Sequence, residues 1–404
     1  MPRSERPFRD YADLLARLEA RGLFHMELGL GRMRRALSAL DFDFGGATVI
    51  QTLGTNGKGS VCAFLTALSL ASGQRTGTYL SPHFLSPRER ILIDGRPLSR
   101  EAWLKAANEI LAAYPSAIDL TYFEFLTLLA LWLFREAGAQ SYILEAGLGG
   151  KNDATSCVKA SARCFAPVGM DHAGIIGPGI GDIAADKAAV IGRGSANFST
   201  AQYPLVARAL RAAAKGARLE FVEPLDPRPL GLRGSHQLAN AALALRCWRE
   251  FFPDCDGEAL RAAFLPGRMQ FMHDSDGEYV LDGAHNPPAI QNLIRRLDEE
   301  GAVPEAIIYA TMADKDWKTS LGQLIGAYPR ARMFFARLPG GRAADPEELA
   351  AFHRARLPSG ECLAGRLAER PRAQGLTLAT GSLYLLSEFY ALRPRYLYQF
   401  NCED

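Results

Sequence analysis

The chain has no Cys-x-x-Cys pair, no internal repeat, no low-complexity tract and no long uncharged apolar run. Each absence removes a class of protein. Seven cysteines stand apart at 62, 157, 164, 247, 255, 362 and 402. Their odd count and irregular spacing argue against a zinc knuckle or a dithiol redox motif, and for reduced thiols in a cytoplasmic protein. The most apolar stretch, Phe125 to Phe134, falls short of the roughly 20 residues that span a bilayer. The first ten residues are polar and charged, with no apolar run behind them of the kind a signal peptide carries. Charge of one sign is missing too: 46 basic against 44 acidic residues leave a net +2. No surface for nucleic acid or an anionic membrane is therefore expected, and neither is taken as a partner.

What is present is an ordinary globular composition, 48% hydrophobic and 22% charged, over 404 residues. That length calls for two or three domains. Apolar runs alternate with amphipathic segments, the rhythm of βα units and a mostly parallel sheet. Strands are expected at Ala47–Leu53, Thr76–Leu80, Ser141–Glu145, Cys164–Gly169 and Arg218–Phe221, with helices between them, including Ser60–Ala71, Thr121–Ala137, Asp182–Ile191 and Gln237–Phe252. The rhythm restarts after a polar stretch, with strands at Tyr279–Asp282, Ala306–Ala310, Ala331–Ala336 and Thr377–Thr380. The expected division is residues 1–267, a linker at 268–277, and a smaller α/β domain at 278–404.

The most informative segment is Val49 to Ser60, an apolar strand running into Gly54-Thr55-Asn56-Gly57-Lys58-Gly59-Ser60. The glycines allow backbone amides to approach a polyphosphate closely. Lys58 supplies a cation, Ser60 a hydroxyl for Mg²⁺, and the following helix points its N-terminus at the anion. The spacing departs from the Walker pattern, because Gly59 separates Lys58 from the hydroxyl residue. Strand Ile143–Glu145 ends in an acid before Ala-Gly-Leu-Gly-Gly150, where a carboxylate at a strand's carboxyl end can hold the Mg²⁺ that bridges phosphates. Val168-Gly-Met-Asp171-His172 repeats the arrangement, making His172 a second metal ligand candidate. Lys187 reads by spacing as a surface lysine. Asp282 and His285 end an apolar strand just past the domain boundary, and would point into a cleft between domains, with Arg268 able to reach phosphates from the linker.

In order along the chain, these stretches closely resemble the folylpolyglutamate synthase/dihydrofolate synthase family of the Mur ligase superfamily. The resemblance runs through Gly54–Ser60, Ser81-Pro-His83 with Glu89-Arg90, Leu120-Thr-Tyr-Phe-Glu124, Glu145–Gly150 with Asp153-Ala-Thr155, and Asp171-His172. It continues through Asp186-Lys187, His236–Asn240, Pro266-Gly-Arg268, Asp282–Pro287, Asp314–Asp316 and Gly381-Ser-Leu383. It implies a P-loop Mur-ligase-type ATPase domain followed by a Rossmann-like domain. The implied activity is ATP-dependent joining of L-glutamate to dihydropteroate and to folates through an acyl phosphate, by a monomer. By position it also implies that Ser60 and Glu145 hold one Mg²⁺ and His172 a second. Lys187 corresponds to the lysine that family members carbamylate. Asn240 would meet adenine, Arg268 and Asp282 the phosphate and ribose, and His285 the cleft. Phe123, Asp153 and the loop from Ser81 to Arg90 would line the pterin side.

The chain reads Lys151-Asn-Asp-Ala-Thr-Ser156 where the family usually has Arg-Leu-Asp-Ala-Thr-Asn, and Asp186-Lys where it often has Glu-Lys. Three rival readings stay open at this level: a nucleotidase without a ligase product, a sister Mur-type ligase with another carboxylate, and an inactive paralogue.

Overall fold

A computed structural model describes residues 7–22, 29–171, 173–370, 372 and 374–398. These form two compact units. One runs to Leu230 and takes in Leu238–Ala263; the other takes Gly231–Gln237 and continues from Phe264.

The first unit is built on an eight-stranded sheet of β1 (Thr48–Leu53), β2 (Thr76–Tyr79), β3 (Ile91–Ile93), β4 (Arg96–Pro97), β5 (Ser141–Glu145), β6 (Ala162–Phe165), β7 (Ala196–Ser199) and β8 (Leu219–Phe221). Its order is β4-β3-β2-β5-β1-β6-β7-β8. β3 alone runs opposite to the other seven strands. β1 lies between β5 and β6, and Val49 to Leu53 are all buried, as a strand covered on both faces requires. After β1 the chain passes to β2 on one side; after β5 it passes to β6 on the other. Connections that diverge from adjacent strands open a crevice at their carboxyl ends, where ligands of such sheets bind.

The second unit holds β9 (Gln270–Asp274), β10 (Gly277–Leu281), β11 (Ala306–Tyr309), β12 (Arg332–Arg337), β13 (Cys362–Arg366) and β14 (Leu376–Thr380), ordered β13-β12-β11-β14-β10-β9. All pairs but β9–β10 are parallel. One face of this sheet buries Val280, Ile307, Met333, Phe335 and Leu378 against Leu293, Leu297, Leu321 and Leu324 of the helices Pro287–Glu299 and Trp317–Ala327. Among the described residues no helix is long and apolar enough to cross a membrane.

Four local expectations are corrected. The stretch read as a linker, 268–277, contains β9, an edge strand hairpinned onto β10; its polar residues read as loop because one side of an edge strand needs no apolar cover. The strand expected at Cys164–Gly169 ends at Phe165. Pro167 has no N–H to continue the ladder, and its carbonyl instead accepts the Thr55 and Asn56 amides at 2.9 and 3.2 Å. The helix expected from Ser60 begins at Lys58, capped by Gly57. Lastly, Gly231–Gln237 belongs to the second unit. Arg233 pairs with Glu300 at 3.0 Å and Ser235 donates to Glu299 at 3.2 Å, at the end of the helix Pro287–Glu299. The short strands β3, β4, β7 and β13 carry too little periodicity to read from sequence.

Candidate active site

The glycine turn Gly54–Gly59 grows directly out of β1. Gly57 has φ +84°, a left-handed conformation that costs an L-residue about 1–2 kcal/mol. A Cβ there would also stand 2.7 Å from the Asn240 Oδ1. Gly57→Ala is therefore expected to lower unfolding free energy by about 1–2 kcal/mol and to weaken nucleotide binding, read by denaturant titration and by ATP affinity; wild-type values for both would show that the turn relaxes freely. Asn240, buried on the helix Gln237–Trp248, thus packs on the turn itself.

The Thr55 hydroxyl bridges to residue 169, accepting from the Gly169 amide at 3.0 Å and donating to the Gly169 carbonyl at 2.9 Å. With the amides of Thr55 and Asn56 committed to Pro167, the amides of Gly57, Lys58 and Gly59 stand at the helix mouth. The first intrahelical bond, Val61 amide to Gly57 carbonyl, comes after them. An anion there meets the positive end of a 14-residue helix. The Lys58 Nζ rests 3.3 Å from the Thr55 carbonyl.

Glu145 ends β5 in register with Thr52, one strand over from the loop. It is 5% exposed, and its Oε2 accepts the Ser81 amide at 3.0 Å. Ser60, in the first turn of the helix Lys58–Ala71, is also buried. A hydroxyl and a carboxylate are the oxygen donors that suit Mg²⁺, which keeps few protein ligands when phosphates and water complete its shell. Among the described residues no three His, Cys, Asp or Glu side chains converge as a self-sufficient metal cage. His172 lies outside the described residues.

Lys187 overturns its sequence reading. It is 4% exposed, on the helix Ile180–Ala188, with Nζ donating to the Gly149 carbonyl at 3.3 Å. The helix packs this side inward, with Ile183, Ala184 and Ala188 joining a core cluster. Lys58, Lys187, Asp171, Gly54, Thr55 and the Gly147–Gly149 turn line one cleft. Burial, and secondarily the Lys58 charge, push the Lys187 amine down from 10.5 to about 8, against the opposing pull of Asp186, Asp153 and Asp171. The unfolded chain holds this proton between about pH 8 and 10.5 and the native chain does not. The group's contribution to stability therefore rises with pH across that window, and below pH 8 the buried ammonium is a cost. In carbon dioxide-depleted buffer, Lys187→Met should remove this rise from a plot of unfolding free energy against pH; an identical slope would place the shift elsewhere.

On the neighbouring side, Phe123 sits at the start of the helix Tyr122–Glu136, its ring centroid 5.7 Å from that of Tyr79. Gly147 admits the ring, since a Cβ there would meet it at 2.5 Å. The loop after β2 is tied by Glu89, whose carboxylate accepts the amides of Phe84, Leu85 and Ser86 at 2.6–2.7 Å. Arg90 donates to the His83 Nδ1 at 2.8 Å and lies 5.5 Å over the Tyr122 ring. Burial, then the Arg90 charge, hold His83 down at about 3, so the ring is neutral with its hydrogen on Nε2. Asp153 is buried, and its carboxylate accepts from the Leu148 and Thr155 amides and the Thr155 hydroxyl.

In the second unit, Asp282 is 3% exposed and is held within its own unit. Its two oxygens accept the Met269 and Ala284 amides at 3.0 and 2.9 Å, and Arg296 stands 3.7 Å away. His285 shares its Nδ1 with the Gly283 carbonyl at 2.8 Å, while Arg268 is exposed beside the start of β9.

Sequence reasoning did not single out Gln51 and Arg163. The signal was a glutamine inside an otherwise apolar strand, Thr48-Val-Ile-Gln-Thr-Leu53.

Two mostly parallel sheets with a glycine turn at a helix mouth match the Mur ligase fold, and residues 267–369 match the family model described as Mur ligase, glutamate ligase domain. Across 385 residues the chain is 30% identical to the dihydrofolate synthase/folylpolyglutamate synthase of Escherichia coli, covering 86% of each. It is 35% identical over 291 residues to a folylpolyglutamate synthase of Arabidopsis thaliana, covering 60% of this chain and 47% of that protein. It spans about half the length of several curated relatives it matches. The crystal structure of the Yersinia pestis bifunctional folylpolyglutamate synthase/dihydrofolate synthase complexed with AMPPNP and Mn ion superposes with a TM-score of 0.83 at 28% identity, over 97% of this chain and 100% of that one. The chain belongs to the folylpolyglutamate synthase/dihydrofolate synthase family.

Proposed function

We propose that the chain is an ATP-dependent ligase that joins L-glutamate to dihydropteroate and to reduced folates through an acyl phosphate. The observation that carries this reading is the convergence of Lys58, the amides at the helix mouth and Glu145 at the switch point of the sheet. A carboxylate is a poor electrophile, so its oxygen first attacks the γ-phosphorus of ATP and the bond to the ADP oxygen breaks. The glutamate amine then attacks the acyl carbon, losing a proton, and phosphate leaves. Little of this asks for covalent participation by the protein; positioning and neutralisation of charge suffice. The amides of Gly57, Lys58 and Gly59 cradle phosphate oxygens, and Lys58 meets the charge that develops on the transferred group. Ser60 and Glu145, with His172, would hold divalent metal, which when bound neutralises phosphate oxygens.

Lys187 is assigned the carbamylated role. The ammonium first loses one proton; the neutral amine nitrogen then bonds to the carbon of CO₂ and loses a second, so a buried cation becomes an anion. Two facts support this: the side chain is buried at the cleft, and its lowered pKa gives the neutral, nucleophilic amine a share near neutrality that a surface lysine lacks. On the acceptor side, the Phe123 ring offers an aromatic face for a pterin or aminobenzoyl group.

The test is phosphate release with dihydropteroate or tetrahydrofolate, each with and without glutamate. Release that needs both acceptor and glutamate supports the ligase. Equal release without glutamate would make the chain a nucleotidase, and silence on both acceptors with ATP still bound would point to a different carboxylate.

A further inference from the structure

β1 carries the phosphate loop at its end, and three residues earlier it carries Gln51, which is 1% exposed. A buried amide is tolerated only when its donors and acceptor are used, and here all are. Arg163 lies beside it in register on β6 and donates from Nε to the Gln51 Oε1 at 3.3 Å. Because the arginine is only a donor, this bond fixes which end of the amide faces it. The Gln51 Nε2 therefore donates, to the Thr155 hydroxyl at 2.8 Å and the Ser156 hydroxyl at 2.9 Å. Each hydroxyl must then pass its own hydrogen onward. Thr155 donates to the Asp153 Oδ1 at 2.5 Å, and Ser156 to the Gly150 carbonyl at 2.6 Å. The Asp153 Oδ2 accepts the Leu148 amide at 2.9 Å, which closes the turn Gly147–Gly150 that the Phe123 ring packs against. Arg163 is anchored at its other end by the Ser195 hydroxyl at 2.6 Å. Along the path Arg163–Gln51–Thr155–Asp153 every link points the same way, from guanidinium to carboxylate, so these bonds polarise one another.

We propose that Gln51 and Arg163 are positioning residues for the acceptor side of the site: through Thr155 and Ser156 they hold Asp153 and the Gly147–Gly150 turn in the geometry the pterin-bearing substrate meets. The proposal rests on the ligase reading for the identity of that substrate. The strand that delivers the phosphate loop then also sets the acceptor wall, which keeps the two reacting groups in one frame. Ser156, where the family usually has asparagine, fills its place in the relay with a single hydroxyl that accepts from Gln51 and donates to Gly150.

The experiment uses the full chain with Gln51→Leu and Gln51→Glu. Leucine removes both donors and the acceptor. Glutamate keeps an acceptor for Arg163, now as an ion pair, and removes only the donors. Both variants should raise KM for dihydropteroate about 10-fold, the cost of leaving buried polar groups unmatched, while KM for ATP stays within about two-fold. Wild-type acceptor KM in Gln51→Glu, or ATP and acceptor KM rising together, would overturn the role. Hydrogen exchange at the Leu148 and Thr155 amides gives an arm independent of turnover: both should exchange faster in Gln51→Leu, and unchanged exchange overturns the positioning. If the wild-type chain used no pteroate or folate while those amides still exchanged faster in the variant, the ligase reading would fall and the positioning of the turn would stand.

Discussion

Lys58→Ala is expected to lower ATP-dependent turnover by about 10²–10³-fold, the scale at which loss of one preorganised charge-stabilising group is felt. Lys58 is the first residue of the helix Lys58–Ala71, lines the cleft, and bonds only the Thr55 carbonyl among the contacts described for its Nζ. Its removal should therefore leave the melting temperature within a few degrees of wild type, so the loss falls on kcat. A second consequence follows from the charge it carries. Lys58 helps to hold the Lys187 amine low, so Lys58→Ala should also raise the Lys187 pKa and shrink the share of neutral amine. Raising the bicarbonate concentration should then recover a small part of the lost rate. Turnover within ten-fold of wild type in a folded Lys58→Ala chain would take the phosphate loop out of the reaction.

Lys187→Ala is expected to lower activity by about 10- to 100-fold, the usual loss when a group supporting a metal site is removed. Short carboxylic acids such as acetate should restore part of it, because the truncated side chain leaves room beside Gly149 for a carboxylate where a carbamate would have stood. Mass spectrometry of the intact chain under carbon dioxide would read the modification directly, as the addition of one carboxyl group at Lys187. Full activity in Lys187→Ala, or loss with no rescue and no added mass, would return the residue to a structural role. Burial first, and the Lys58 charge second, ease the loss of the proton, so the neutral amine that carbamylation needs is more accessible here than on a surface lysine.

The glycine turn at the helix mouth was legible in the sequence because its geometry is local. Gly54 to Ser60 are consecutive, and an apolar strand before them with a helix after them suffices to aim the amides. Glu145 was legible for a similar reason, being an acid at the end of an apolar run in a βα rhythm that implies parallel strands ending on one side. Other assignments needed neighbours that lie far apart in the chain. Lys187 read as exposed by spacing, and it is buried because its helix packs Ile183, Ala184 and Ala188 inward and carries Lys187 to the Gly149 carbonyl, 38 residues away. Gln51 looked like one polar residue in a strand; its partners Arg163 and Thr155 are 112 and 104 residues distant. β9 read as linker because strand pairing, not its own polarity, makes it a strand. The sequence by itself determined two α/β units, the glycine turn at the helix mouth and the acid one strand over, since these follow from periodicity and short-range backbone geometry. Which lysine is buried, which carboxylates are tied up by amides, and which polar chains cross the sheet were decided by tertiary structure alone. Burial and hydrogen-bond partnership are set by strand order and register, and these bring together residues that no local pattern connects.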